Sequence, residues 1–228
     1  MLSRSFYICL LAFACGAVTD AAEIGDRLPR APGYRGIWYM NQPQPGPYKY
    51  KYSGGLATYP QQHAPIALYS PAANKTFFCY GGKTTNANTL SNIVSYYDHA
   101  TGQVPRPAVL LSRATNDLHY NPSLSIDADG RLYVFANSHG QGAELFKTDP
   151  THGKSFIFRS TKPHSIDAFE KVHESNFSYS QPWQVEDHGL LWLHTRYEQG
   201  KRRLYFSTTT DGRTWSDPHP LARIKSGD

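Results

Sequence analysis

The stretch NDLHYNPSLSIDADGRLYVFANSHG, residues 116–140, decides the fold that the sequence predicts. Within it, Pro122–Ile126 alternates between apolar and polar residues, and Arg131–Phe135 is rich in β-branched and aromatic residues. Both patterns are typical of β-strands. Asp127–Gly130, between them, has the composition of a tight turn, because Asp and Gly tolerate positive φ. The stretch therefore predicts a β-hairpin with a histidine on either side.

The hairpin pattern recurs 59 residues further along the chain, and a less regular copy precedes it over residues 75–102. The residues that match at this one offset include Gly130 and Gly189, Leu132 and Leu191, Tyr133 and Trp192, Leu145 and Leu204, and Phe156 and Trp215. A repeat of about 50–60 residues with several short strands per unit is typical of a β-propeller blade. The alternative is chance similarity between two hairpins.

The strand pattern predicts an all-β fold, a β-propeller of four-stranded antiparallel blades, with three to four blades in this chain. The first blade is assigned to Pro65–Tyr69, Thr76–Tyr80, Leu90–Tyr97 and Ala108–Ser112. The second is assigned to Pro122–Ile126, Arg131–Ala136, Ala143–Thr148 and Ser155–Ser160. The third is assigned to Pro182–Val185, Leu190–Thr195, Arg203–Thr208 and Leu221–Ile224.

The composition fits such a protein. Aromatic residues make up 14% of the 228 residues, only 18% are charged, and there are 18 glycines and 16 prolines. No sustained helical period of apolar residues is present. The formal net charge of +5 suits an acidic partner. Because no block of Lys and Arg marks a nucleic-acid-binding arm, we expect no nucleic-acid partner.

Residues 1–22 have the features of a secretory signal peptide, which leaves 23–228 as the propeller domain. Arg4 precedes an apolar run, Phe6–Val18, that is shorter than the ~18 residues needed to span a bilayer. We therefore expect a secreted or periplasmic protein, with a lipid anchor at Cys15 as the alternative. Only Cys79 then remains, so no internal disulfide and no cysteine-based zinc site is possible.

Superimposing the predicted blades brings several proton-carrying side chains to one place. His63, His119 and Tyr179 each precede the first strand of a blade, which in a propeller lies beside the central channel. Arg196 and His139 come near the ends of second strands. The convergence predicts an acid–base site with an anion clamp at one mouth of the channel. Ordinary surface histidines, or a zinc cluster of His63, His119 and His139, are the alternatives.

Several motifs together resemble the BNR-repeat family that includes the seven-bladed ulvan lyases. They are GYRGIWYMNQP, YKYKYSGGL, Asp117-x-His119-x-Asn121-Pro122, Tyr179-x-Gln181-Pro182 and Leu193-His-Thr-Arg-Tyr197. The segment Thr208–Trp215 also resembles an Asp-box turn, although its acid, Asp211, stands next to Gly212 rather than two residues before it. The resemblance covers residues 23–228 and implies an N-terminal half, because a complete ring needs about twice as many blades.

The resemblance also implies roles for particular residues. Tyr179 and His119 would carry the acid–base work, while Arg196 and His139 would bind the carboxylate of a uronic acid. The residues predicted to bind substrate are His63, Asn121, Tyr48 and Trp183. Tyr48 opens an alternating Tyr-Lys run, residues 48–52, that could stack on sugars or form a half-buried strand.

The predicted function is a polysaccharide lyase that cleaves an anionic, uronate-containing polysaccharide such as ulvan by β-elimination. This chemistry requires no metal, nucleotide or other cofactor. One alternative is a glycoside hydrolase, for which Asp117 and Glu174 are candidate carboxylates. A sialidase-like site using Arg196 and the Arg202–Arg203 pair, or a non-catalytic glycan-binding propeller, are the others.

Overall fold

The computed structural model describes residues 63–82, 89–115, 117–139, 153–198 and 201–222. Within these ranges the chain forms twelve β-strands and one short 3₁₀ turn, Leu118–Tyr120, and no α-helix. The strands form three four-stranded antiparallel sheets. The predicted all-β class and the four-stranded antiparallel blades are therefore confirmed.

Each sheet follows the order of its strands along the chain. The first contains β1 Ala67–Ser70, β2 Lys75–Gly82, β3 Leu90–Asp98 and β4 Ala108–Arg113. The second contains β5 Pro122–Ile126, β6 Leu132–Ala136, β7 Ser155–Ser160 and β8 Phe169–Ser175. The third contains β9 Ser178–Val185, β10 Gly189–Glu198, β11 Lys201–Thr209 and β12 His219–Ala222.

The strand assignment was wrong in the second half of the second sheet. Its third strand is Ser155–Ser160, which was predicted to be the fourth, and the fourth is β8, which was not predicted. The predicted strand Ala143–Thr148 lies outside the described residues. The reason is the spacing between strands: eighteen residues separate β6 from β7, whereas two separate β10 from β11. The offset of 59 residues between the second and third sheets therefore holds only for the first two strands of each.

The apolar core consists of two clusters, one between the first and second sheets and one between the second and third sheets. Leu132 and Val134 of β6 pack into a cluster with Phe77, Cys79 and Val94 of the first sheet. The intervening residues of the same strand, Tyr133 and Phe135, pack against Leu190 and Trp192 of the third sheet. Strand alternation thus makes β6 buried on both faces. Each fully buried side chain of this kind contributes about 1.5–3 kcal/mol.

The first strands of the three sheets lie next to one another, because β5 contacts β1 on one side and β9 on the other. This is the arrangement of inner strands in successive propeller blades. Since each inner strand is followed by an antiparallel neighbour in the same order, the residues that precede β1, β5 and β9 are brought to the same end of the assembly.

The hairpin between β5 and β6 has the predicted tight turn. The backbone N–H of Gly130 donates to the Asp127 carbonyl oxygen at 2.9 Å, and Asp127 Oδ1 accepts from the Arg131 N–H at 2.8 Å. Gly130 has φ +79°, and a Cβ there would lie 2.2 Å from the His164 ring. Glycine is required here by both the backbone conformation and the neighbouring imidazole.

Two observations concern the cysteine and the membrane segment discussed from the sequence. Cys79 is a free, buried cysteine. Among the described residues, no helix is long and apolar enough to cross a membrane. The predicted signal peptide, the Cys15 anchor site and Tyr48 lie outside the described residues, and the boundary between 1–22 and 23–228 stays a prediction.

Candidate active site

Three side chains from the starts of the inner strands meet at one end of the sheets. His63 precedes β1, His119 lies in the 3₁₀ turn before β5, and Tyr179 is the second residue of β9. The ring centroids of His63 and Tyr179 are 5.6 Å apart, and those of His119 and Tyr179 are also 5.6 Å apart. The structure therefore brings these three residues together.

A single carboxylate joins the two histidines on either side of the β5–β6 hairpin. Asp117 Oδ1 lies 2.5 Å from His119 Nδ1, and Asp117 Oδ2 lies 2.7 Å from His139 Nδ1. The two imidazole rings stack, with centroids 3.8 Å apart and an angle of 18° between their planes. Asp117 thus fixes the orientation of both rings, a role that the sequence motif did not reveal.

The electrostatics keep the Asp117 carboxyl ionised. Partial burial by itself would raise its pKa, but the hydrogen bonds from His119 and His139 and the interaction with the His119 charge hold the pKa well below its usual range. Since a carboxylate only accepts hydrogen bonds, both Nδ1 atoms carry the proton in this network. The Nε2 atoms of the two imidazoles are then the positions that can exchange protons with a ligand.

Tyr179 is held in an unusual backbone conformation beside a cation. Its φ is +53°, a conformation rarely adopted by a bulky non-glycine residue and frequently associated with functional sites. Arg202 Nη1 donates to the Tyr179 phenol oxygen at 2.8 Å, and the guanidinium carbon lies 4.4 Å from the ring centroid. Arg202 Nη2 also donates to the phenol oxygen of Tyr197. The Tyr179 phenol therefore lies between an imidazole and a guanidinium.

Arg196 lies in strand β10, next to Tyr197. It alternates with Tyr197 along β10 and lies on the opposite face of the strand, directly across from Arg203 of β11. There its charge adds to burial in lowering the pKa of His173 and of His194, the latter to about 3. The guanidinium beside Tyr179 belongs instead to Arg202.

A second layer of buried polar residues lies beneath the histidines. Arg113 is almost fully buried and donates to the carbonyl oxygens of Asn137 at 2.6 Å and Lys154 at 2.8 Å. Its guanidinium also lies over the Tyr120 ring, 4.8 Å from the centroid. The Tyr120 hydroxyl donates to the carbonyl oxygen of His139 at 3.1 Å. These contacts fix the backbone that carries His139.

The remaining predicted substrate-binding residues lie apart from one another. Asn121 is fully buried, and its carbonyl oxygen accepts from Asn137 Nδ2 at 2.8 Å. Trp183 is 52% exposed at the opposite end of β9, where it lines a cavity of about 530 Å³ with Tyr69, Asp127 and His164.

His63 belongs to the cluster as a neutral group. It is almost completely buried, and burial, reinforced by the nearby His119, lowers its pKa to about 3. Asp117 partly opposes this shift. At neutral pH the His63 ring therefore brings no charge to Tyr179, and it acts there through packing and the polarity of its nitrogen atoms.

The Asp117, His119 and His139 side chains are also of the types that bind divalent metals. Their potential ligand atoms all lie within 4.8 Å of one another. The zinc cluster considered from the sequence consisted of His63, His119 and His139. In the structure, the third potential ligand beside His119 and His139 is the carboxylate of Asp117 rather than the imidazole of His63. In the geometry described above, the two Nδ1 atoms are engaged with the carboxylate through hydrogen bonds rather than directed at a common point.

Comparison with known proteins relates the chain to solved polysaccharide lyase structures. No family model matches it, and no curated protein does. A PL25 ulvan lyase aligns at 20% identity over 69% of this chain and 37% of its own, with a TM-score of 0.55. An ulvan lyase bound to -[GlcA(1-4)Rha3S]- aligns at 19% identity with the same coverage and TM-score. The polysaccharide lyase Uly1 aligns at 13% identity over 84% of this chain and 49% of its own, with a TM-score of 0.51.

At these identities the likeness establishes the fold, an array of propeller-like blades, and leaves membership of the BNR-repeat family a prediction. The chain spans less than half the length of each of these structures.

Proposed function

We propose that this protein is a polysaccharide lyase that cleaves an anionic, uronate-containing polysaccharide by β-elimination. The observation that carries the proposal is the position of the Tyr179 phenol, which lies beside the His119 ring and accepts a hydrogen bond from Arg202. The likeness in fold to ulvan lyases, one of them bound to -[GlcA(1-4)Rha3S]-, supports this substrate class. The leader-like residues 1–22 support a secreted or periplasmic location.

The reaction removes the C5 proton of the uronate and breaks the bond between C4 and the glycosidic oxygen. Tyr179, as the phenolate, takes the C5 proton and becomes the phenol. The electron pair left on C5 forms the C4–C5 double bond, and the C4–O4 bond breaks. His119, protonated on Nε2, gives its proton to the leaving O4. Atoms and charges balance without water as a reactant.

The two Asp117-bound histidines have different tasks in this proposal. The Asp117 carboxylate accepts a hydrogen bond from each of the stacked imidazoles, at 2.5 and 2.7 Å. An imidazolium at His139 would bind the uronate carboxylate and stabilise the negative charge that develops there when the C5 proton leaves. The charge of Arg196, which the resemblance assigned to this task, helps to lower the pKa of His173 and of His194.

The hydrolase alternative has less support. A hydrolase requires an acid and a base, usually two carboxyl groups on opposite sides of the scissile bond. Asp117 is engaged with His119 and His139, and Glu174 is engaged with Lys154 and Lys171. Both carboxylates are thereby held in the ionised form, which leaves neither as the proton donor that such a reaction needs.

Incubation of the 228-residue chain with ulvan, followed by ultraviolet absorbance of the unsaturated uronate, tests the proposal. Tyr179→Phe should abolish product formation while binding to the polysaccharide, measured by calorimetry, is retained. Tyr96→Phe, a half-buried tyrosine of the first sheet, is the matched control and should retain turnover. Reducing ends without absorbance would identify a hydrolase. Binding without either product would identify a glycan-binding module, and both results refute the lyase.

A further inference from the structure

We propose that Arg202 and Tyr197 form a positioning pair that holds a guanidinium on the Tyr179 phenol oxygen and stabilises its phenolate. The inference rests on the proposed function, because it concerns the base of the elimination. Neither residue was a candidate on sequence grounds for acting on Tyr179. In the sequence, Arg202 stands out only as part of a cationic pair with Arg203.

The contacts of Arg202 define the pair. Tyr197 and Arg202 are direct cross-strand partners in β10 and β11. The Arg202 fork spans two phenols, with Nη1 donating to Tyr179 at 2.8 Å and Nη2 donating to Tyr197. Its guanidinium carbon lies 4.4 Å from the Tyr179 centroid and 5.0 Å from that of Tyr197. A planar guanidinium directs one nitrogen at each phenol in a fixed fork, whereas a lysine ammonium donates from a single nitrogen on a flexible chain and does not reproduce this arrangement.

Arg202 remains charged in this position. It is half-buried, and burial alone would lower the pKa of its guanidinium, but the hydrogen bond to Tyr197 and the neighbouring Tyr179 phenol raise the pKa above its ordinary value. Tyr197 thus anchors the cation that Tyr179 uses. A fixed positive charge in hydrogen-bond contact with a phenol oxygen favours the phenolate over the neutral form.

The other groups around Tyr179 carry less fixed positive charge. His63, from the segment before β1, is neutral at ordinary pH because burial lowers its pKa to about 3. His119, from the turn before β5, is paired with the Asp117 carboxylate, so any positive charge on it is opposed by a negative one. Of the three side chains His63, His119 and Arg202, which all contact the Tyr179 ring, Arg202 is therefore the one with a fixed positive charge.

The pair predicts a defined pH behaviour. Because the base must be ionised, turnover rises with pH up to the apparent pKa of the base. Weakening the contact between Arg202 and the Tyr179 phenol shifts the rise in kcat to higher pH. At a pH below the apparent pKa of the base, each pH unit of this shift lowers the phenolate fraction, and hence kcat, about tenfold. We expect Arg202→Lys to displace the acidic limb of kcat upward by about one pH unit or more, with a smaller effect on KM. Tyr197→Phe should displace it in the same direction by less.

Arg203→Lys is the matched control, since Arg203 is the adjacent cation of the same strand but lies on the other face, opposite Arg196. It should leave the pH profile in place. The proton state of Tyr179 can also be read without turnover, from the phenolate absorbance difference between each protein and its Tyr179→Phe counterpart. Thermal unfolding of every variant verifies that it is folded.

The outcomes separate this inference from the proposed function. If the phenolate titration of Tyr179 moves upward in Arg202→Lys but the chain does not eliminate, the pair stands and the lyase proposal fails. If the protein cleaves the polysaccharide by elimination but the phenolate titration of Tyr179 is unchanged in Arg202→Lys, the positioning pair is refuted. It is also refuted if the titration moves by the same amount in Arg203→Lys. A rise in KM alone, with no displacement of the profile, would also refute it.

Discussion

Replacing Asp117 by Asn is the sharpest test of the site, because it removes one charge from a carboxylate that serves two rings. The carboxylate accepts from His119 Nδ1 at 2.5 Å and from His139 Nδ1 at 2.7 Å. An amide has one oxygen and one NH₂ group in these positions. It can accept from one imidazole only, and its NH₂ group requires the other imidazole to change tautomer. Asp117→Asn therefore disrupts the orientation or the charge of at least one histidine.

The size of the effect follows from these contacts. Hydrogen bonds to a charged group contribute about 1.5–3 kcal/mol each. Since the Asp117 side chain is 32% exposed, solvent screening reduces the combined loss, and we take about 2 kcal/mol for the folded state. For a chain of this size that corresponds to a fall in Tm of about 4–8 °C. Removing a general acid from its working orientation lowers kcat by about 10²–10⁴.

The stability of the wild type should also depend on pH through this group. The pKa of Asp117 is lower in the folded protein than the ordinary value of 3.8. Its contribution is therefore present above pH 3.8 and is lost as the pH falls below that value towards the folded pKa. Asp117→Asn should lack this acid-induced loss. Thermal unfolding measured between neutral and strongly acidic pH would show the difference.

Asp127→Asn provides the control, since Asp127 accepts from the Arg131 N–H and from the Tyr133 hydroxyl outside the cluster. It should lower Tm without lowering kcat beyond the effect of unfolding. If Asp117→Asn retains kcat within about threefold of the wild type while being folded, the two-histidine arrangement has no part in catalysis and the proposed assignment of His119 is refuted.

Two further predictions concern the fold around the site. Gly130→Ala should lower the free energy of unfolding by about 1–3 kcal/mol, measured by urea denaturation, because the alanine must adopt φ +79° and its Cβ would lie 2.2 Å from the His164 ring; an unchanged midpoint would contradict this. His194 is buried and its folded pKa is lowered to about 3 from 6.5. Protonation therefore favours the unfolded chain as the pH falls from 6.5 towards 3, and His194→Gln should lose less stability than the wild type over that interval, with parallel curves as the contrary result.

The sequence was sufficient to predict the blades and the convergence of their leading residues, because both depend on local patterns. His119 and Tyr179 occupy similar positions in successive repeats: His119 lies just before the inner strand β5, and Tyr179 is the second residue of the inner strand β9. The position of a residue relative to a hairpin is readable from turns and alternation. The number of residues between two strands is not, which is why β8 was missed: the eighteen residues between β6 and β7 change the spacing within the second unit.

Side-chain direction explains the remaining differences in the site. Arg196 and Tyr197 are adjacent, and a shift of one residue in register decides which of them faces Tyr179. The short connection between β10 and β11, only two residues long, places Arg202 opposite Tyr197. Asp117 could not be assigned because its role depends on His139, which lies beyond the hairpin and meets it only in the folded chain.

The doubly buried strand β6 has a consequence for how variation is tolerated in this protein. A shift of one position along β6 would exchange the aliphatic pair facing the first sheet with the aromatic pair facing the third, so both interfaces would be misfitted together. The packing against the first sheet and the packing against the third sheet therefore each fix the register of β6. Because His139 lies three residues after the end of β6, its position depends on both of these interfaces. Natural or engineered substitutions should therefore be tolerated better in the outer strands than in β6.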